Sequence, residues 1–299
     1  MKTTQKELIW FLIPTFVITY GLGLIAYING GLEHFPLLQL SMFVPAIIVI
    51  ILYLFKFKKP IFKNNDLGIN FKGLRYWIIV PLFVTLISSI GYLIPFIFDN
   101  DFFKTSEQIL EITETTGLGV GHWFVNLIIV FGINTFISPV INIFLMLGEE
   151  IGWRAFLTPR LLKLYNPRIA FILSGTIWGV WHSAMIILGL NYPQCPIFGI
   201  FMMVFMCIPV SIIFQYFYFK SKSIFVAALA HGTLNWTANN FVMFLISNKD
   251  YNTFIYGPSG IIGIIFFSIV AYFLFKKVDW QKANTYSCFE DKKIKDSNE

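Results

Sequence analysis

The 299 residues are 57% hydrophobic and 18% aromatic but only 13% charged, against roughly a quarter charged in a water-soluble domain. That balance excludes an ordinary soluble fold. The net charge of +6 comes from lysines and arginines grouped at the ends of apolar stretches, which points to anionic lipid headgroups rather than nucleic acid.

Apolar stretches approaching the roughly 20 residues that cross about 30 Å of hydrocarbon fall at 8–28, 36–55, 76–98, 124–148, 169–190, 197–219, 224–246 and 260–275. The expected fold is all-α: a polytopic membrane protein with about eight transmembrane helices. The first stretch follows Met1, Lys2 and Lys6, but it is too long for a secretory signal. It also ends in Tyr27-Ile28-Asn29-Gly30-Gly31 without a small-residue cleavage site, so it reads as a retained helix. With the N-terminus inside, the inner segments hold 20 of the 22 basic residues, leaving only Lys104 and Lys249 outside. Basic residues near helix ends are preferentially kept on the cytoplasmic side, so both termini are expected there.

The chain reads as one transmembrane helical domain over 1–275 followed by a polar, lysine-rich cytoplasmic tail at 276–299. The outer loop 99–123 carries Asp99, Asp101, Glu107, Glu111 and Glu114 and reads as a solvated connector. Its Ile109, Leu110 and Ile112 give a short surface helix as the alternative. Cys195, Cys207 and Cys288 fall in an outer loop, a span and the inner tail, so no pair suggests a disulfide or a metal knuckle.

Of the 16 acidic residues, only Glu149 and Glu150 directly continue an apolar run. A charge at mid-bilayer costs about 2.5–3.5 kcal/mol on insertion scales, so such groups face protein or a watery cavity. Glu150 and Arg154 are four apart and can pair on one helix face, while Glu149 points away and stays free. Two histidines also lie within spans. His182 follows Trp178-Gly179-Val180-Trp181, and His231 lies four residues before Asn235, which puts both of the latter side chains on one face. Ala227, Ala228, Ala230 and Gly232 around them allow close helix approach.

Each residue taken singly reads as an interhelical hydrogen-bonding group; together they suffice for peptide hydrolysis. A Glu can activate water, and His or Asn donors can hold an oxyanion. The same groups could hold zinc through two His and a carboxylate. The pattern HExxH, a Walker A loop, a nucleophile elbow and a dinucleotide fingerprint are all missing from the sequence.

Three motifs in order on three helices resemble the CPBP family (CAAX protease and bacteriocin-processing proteins, formerly Abi), typified by type II CAAX prenyl protease. EExxxR corresponds to Glu149-Glu150-Ile151-Gly152-Trp153-Arg154, FxxxH to Trp178 through His182 with Trp in place of Phe, and HxxxN to His231 through Asn235. The family core would span about 130–246. The resemblance implies an intramembrane endopeptidase, glutamic or metallo. In it Glu149 and His182 activate water, and His231 and Asn235 stabilise the oxyanion. Glu150, Arg154 and Trp178 support them from behind. Under the metalloprotease alternative, Glu149, His182 and His231 become the zinc candidates. The cofactor is thus none or zinc. The implied substrate is a CAAX-like tail, a leader peptide or another membrane protein, lipid-modified or not, and the expected location is the plasma membrane of a prokaryote.

Two readings stand beside this: a non-catalytic immunity or scaffold protein of the same family, and a proton-coupled transporter, since intramembrane Glu and His also form proton relays. Counting from the inner helix ends places His231 roughly 12 Å and His182 roughly 16 Å deep. Glu149 reaches that level only if its helix runs on to about Leu157, with residues 133–157 in the membrane and Arg154 snorkelling to the inner surface. The implied cavity opens to the cytoplasm.

Overall fold

The computed structural model describes residues 3–61, 66–93, 102–247 and 252–280. Lys2, Lys63, Asp99, Asp101, Lys249, Cys288 and the tail from 281 onward lie outside the described residues.

Helix α1 (Thr3–Ile28) carries Pro14 in its interior. The hydroxyl of the next residue, Thr15, donates to the Phe11 carbonyl at 2.6 Å. Helices α2 (Pro36–Lys56) and α3 (Tyr76–Leu93) follow. The outer loop forms a helix, α4 (Ser106–Thr115). A capping box starts it: Gln108 N donates to Thr105 Oγ1 at 3.4 Å, and Thr105 N donates to Gln108 Oε1 at 2.9 Å. Its inner face is held by Asn126 Nδ2, which donates to Thr113 Oγ1 at 2.7 Å. The surface helix, rather than the solvated connector, is what forms.

The expected span 124–148 is two elements. Helix α5 (Trp123–Ile141) ends at Asn142, whose φ of −93° and ψ of 12° break the helical run. Helix α6 follows as Ile143–Glu150, a π-helical stretch Ile151–Leu157, and Thr158–Leu164. Thus Glu149 and Glu150 stand on their own helix, which runs well past Arg154. Helix α7 (Pro167–Trp181) continues through a short turn, Ser183–Ile186, into the loop before α8 (Pro196–Ser221). Helices α9 (Ile224–Asn240) and α10 (Ile261–Lys276) complete the described chain.

Among the described residues, five helices are long and apolar enough to cross a membrane: α1, α2, α5, α7 with its extension, and α8. Helices α3 and α10 are apolar but shorter. Ile13, Val17, Leu24, Ile172 and Phe201 stand exposed on the outside of the bundle, as a lipid-facing surface requires. The protein is an integral membrane protein, all-helical among its described elements.

Backbones meet closely at glycines. A Cβ on Gly179 would lie 2.5 Å from Val204 Cα, and one on Gly175 would collide with Ile208, so α7 and α8 pack through a Gly-x-x-x-Gly face. Gly148 against Met42 and Gly152 against Pro45 do the same for α6 and α2. These two glycine pairs flank Glu149–Glu150 and Trp178, and so fix how the polar residues face each other.

Cross-contacts define two ends of the bundle. At one, Arg160 Nε meets Glu7 Oε2 at 2.8 Å, Lys56 lies over Trp10, Asn70 Nδ2 donates to the Lys222 carbonyl at 2.8 Å, and Trp280 packs on Phe171. At the other, Gly23 abuts Ala184, Tyr192 Oη donates to the Ser259 carbonyl at 2.8 Å, Gly257 N donates to the Gly91 carbonyl, and Tyr92 Oη donates to the Ala238 carbonyl.

Candidate active site

Helices α6, α7 and α9 bring Glu149, Trp178, His182, His231 and Asn235 to the wall of one cavity of about 280 Å³. Glu149 is 2% exposed; its Oε2 accepts a hydrogen bond from Trp178 Nε1 at 2.8 Å. Trp178 is therefore more than an aromatic wall. It supplies a donor that phenylalanine at the same motif position lacks, and it fixes one oxygen of the carboxylate.

Glu150, one residue on, points to the other side of α6. Its Oε1 lies 2.9 Å from His231 Nδ1 and its Oε2 lies 3.1 Å from Arg154 Nε, with no exposure of either carboxylate or guanidinium. The Arg154 contact is an ion pair without hydrogen-bond alignment. Arg154 Nη1 reaches Ser211 Oγ at 3.5 Å, and the guanidinium lies 4.1 Å from the Trp178 ring centroid. Arg154 does not snorkel to the surface as the sequence suggested. Glu150 and the faces of Trp178 and Phe214 take the place of water around it.

The two histidines are oriented differently. His182 Nδ1 lies 2.8 Å from the Trp178 carbonyl, an acceptor, so the proton sits on Nδ1 and Nε2 keeps its lone pair in the neutral ring. His231 Nδ1 faces the Glu150 carboxylate and likewise carries a proton, which leaves Nε2 for the cavity. Nε2 donates there only in the doubly protonated ring. Trp178 meets both rings in T-shaped contacts, at centroid distances of 5.4 Å to His182 and 5.5 Å to His231. Asn235 Nδ2 contacts only Met146 Sδ, at 3.5 Å, among its hydrogen bonds, a weak acceptor that a stronger one can replace.

Above these groups the wall is Met42, Met185, Met203 and Met206, with Cys207 and Val210. The rim is Gln39, Asn191, Asn239 and Ser259, of which Asn191 and Asn239 are exposed. Beneath Glu149, the fully buried Glu150, Arg154, Trp153, Phe156 and Phe214 close the floor. None of these five lines the cavity, whose exposed lining residues, Asn191 and Asn239, lie away from them.

Among the described residues, no three His, Cys, Asp or Glu side chains converge on one point suited to a metal ion. Glu149 Oε2 is held by Trp178, and both histidines have Nδ1 engaged. That leaves Glu149 Oε1 and both Nε2 atoms free, and an Nδ1 bonded to a carbonyl or carboxylate is also how zinc-binding histidines are held, so the donor types suit zinc although the three groups do not converge on one point.

Sequence reading missed the glycine pairs, although their Gly-x-x-x-Gly spacing is visible at 148–152 and 175–179. It also missed the rim amides and the methionine wall. Those come from helices far apart in the chain and have no local signal.

A buried carboxylate, two imidazoles and an amide thus share one cavity inside a helical membrane bundle. The model of the family Type II CAAX prenyl endopeptidase Rce1-like matches residues 121–237, and the chain carries a domain of this CAAX protease family of intramembrane proteases. The matched segment contains all seven of these site residues: Glu149, Glu150, Arg154, Trp178, His182, His231 and Asn235. No curated protein matches the chain in sequence.

Proposed function

We propose that the chain is a metal-free intramembrane endopeptidase whose nucleophile is a water molecule activated by Glu149. The observation that carries this reading is the shared cavity: Glu149, His182, His231 and Asn235 all line it, and its rim carries the exposed Asn191 and Asn239.

Glu149 takes a proton from water while the lone pair of His182 Nε2 accepts the other water hydrogen and aims the oxygen at the scissile carbonyl carbon. Attack forms the C–O bond and moves the carbonyl electron pair onto oxygen. Asn235 Nδ2 leaves the Met146 sulfur to donate to that oxyanion, and protonated His231 Nε2 gives the second hydrogen bond, its charge supported by Glu150. Glu149 then passes its proton to the leaving nitrogen, and the C–N bond breaks to give a carboxylic acid and an amine, between which the second water proton then passes to leave a carboxylate and an ammonium group. Trp178 keeps the carboxylate in place throughout. The remaining proposals of the sequence fit this scheme: a single transmembrane domain of about eight spans in a prokaryotic plasma membrane.

The test is cleavage of quenched peptide libraries, prenylated and unprenylated, by purified protein. Glu149→Gln, His182→Ala and His231→Ala should each lower turnover by about 10²–10⁴-fold, the range for a general base or an oriented donor. Cleavage that survives all three changes overturns the assignment. A folded wild type that cleaves nothing favours the non-catalytic family member.

A further inference from the structure

The well and the basic residues lie at opposite ends of the bundle. The end built on the Arg160–Glu7 pair gathers the start of α1, the ends of α2, α6, α8 and α10, and the starts of α7 and α9. Lys56, Lys59, Lys163, Arg168, Lys222 and Lys277 stand there. Of the described lysines and arginines, Lys104 alone lies at the other end, where it bonds the Ile246 carbonyl, and Arg154 is interior.

The exposed rim of the well belongs to that other end. Asn191 lies in the loop between α7 and α8, Ser259 in the loop before α10, Gln39 near the start of α2 and Asn239 at the end of α9. Tyr192 and Ser259 tie two of these loops together, and Thr253 Oγ1 donates to Gln194 Oε1 at 2.8 Å. On the basic side the well is shut by Glu150, Arg154, Trp153, Phe156 and Phe214, each with no exposure. Since basic residues mark the cytoplasmic side, the only exposed lining faces away from it.

The chemistry of the lining selects what can occupy it. Its rim offers amides and a hydroxyl, which pair with peptide N–H and C=O groups, and no cation that would take a carboxylate or phosphate. Its wall is methionine, which moulds to apolar side chains of varied shape. A volume of about 280 Å³ seats one or two side chains with a stretch of backbone.

We infer that the well opens on the non-cytoplasmic face of the membrane and takes extended, uncharged peptide segments presented there, such as a translocated peptide or the outer flank of another membrane protein. The sidedness stands on charge and geometry alone; cleavage of the segment rests on the peptidase reading above.

The protein carries its own probe. Cys195, in the rim loop, is exposed. Intact cells expressing the full chain with Cys207→Ser and Cys288→Ser are treated with a membrane-impermeant maleimide. A second version adds Cys195→Ser and Lys163→Cys at the basic end. Cys195 should label on intact cells, and the cysteine at position 163 only after permeabilisation; the reverse pattern overturns the sidedness. An uncharged peptide cleaved by the wild type is then supplied outside intact cells. Cleavage there, lost in Glu149→Gln, is the expected result. External labelling with cleavage only after permeabilisation overturns the substrate side. If the purified wild type cleaves no peptide at all, external labelling still leaves the sidedness standing and the peptidase reading falls.

Discussion

Adjacent carboxylates with one chemistry have two environments here. Glu149 keeps one oxygen on the Trp178 indole and faces the well, whereas Glu150 is the counter-charge of a fully buried arginine and the partner of His231. Amidation should separate them. Glu149→Gln retains an oxygen for Trp178 to bond, so unfolding in detergent should stay within about 1 kcal/mol of wild type while turnover collapses. Glu150→Gln leaves Arg154 uncompensated with no exposure to water, which costs about 3–5 kcal/mol. A purified Glu150→Gln protein as heat-stable as wild type would mean that the Glu150–Arg154 pair does not hold the floor of the well. The different facing of the two carboxylates, and the pairing of Glu150 with Arg154, were legible from their roughly 100° separation on a helix and the four-residue spacing. The fate of Arg154 was not, because snorkelling is the default for a lone cation, and its ring partners Trp178 and Phe214 come from other helices. Nor was the Trp178 donor, since the motif position reads as an aromatic wall.

Elements are placed by glycines more than by polar residues. In a span where every face is apolar, hydrophobic periodicity says little about which side meets a neighbour, and small residues then carry the packing information. Gly175 and Gly179 bring α7 onto α8, and that approach sets the indole of Trp178 between Glu149 and both histidines. Gly21 on α1 has open space around its missing Cβ, while Gly179 has Val204 Cα at 2.5 Å. The same substitution at the two sites should therefore have opposite signs. Gly21→Ala should be neutral or stabilise by up to about 1 kcal/mol through helix propensity. Gly179→Ala should destabilise by about 1–3 kcal/mol through overpacking and lower activity as Trp178 shifts. Paired thermal melts and peptidase rates read this directly, and equal melting of the two variants would remove the glycine face from the account. The break at Asn142 escaped the sequence for a related reason. Residues 124–148 are apolar on both sides of it, so one long hydrophobic run concealed two helices.

For the whole molecule, the closed floor of the well bears on whether the buried charges serve hydrolysis or transport. The basic-end grouping was readable from alternating charge, but the depth and direction of the cavity needed helix ends that sequence locates only to within a turn or two. A proton-coupled transporter must expose its titratable site to each side in turn, commonly through broken helices near mid-membrane. Here the layer between Glu149 and the basic end contains Trp153, Phe156, Leu157 and Phe214, none with any exposure. Opening it would also strip the Glu150–Arg154 pair of the rings that flank it. That layer is built to stay shut. Vesicles containing the purified protein should therefore hold an imposed pH gradient for as long as protein-free vesicles do, with or without an added peptide, while the peptide is cleaved. Collapse of the gradient that depends on Glu149 would show that protons cross the layer, and the buried carboxylate would then have to be read as part of a relay.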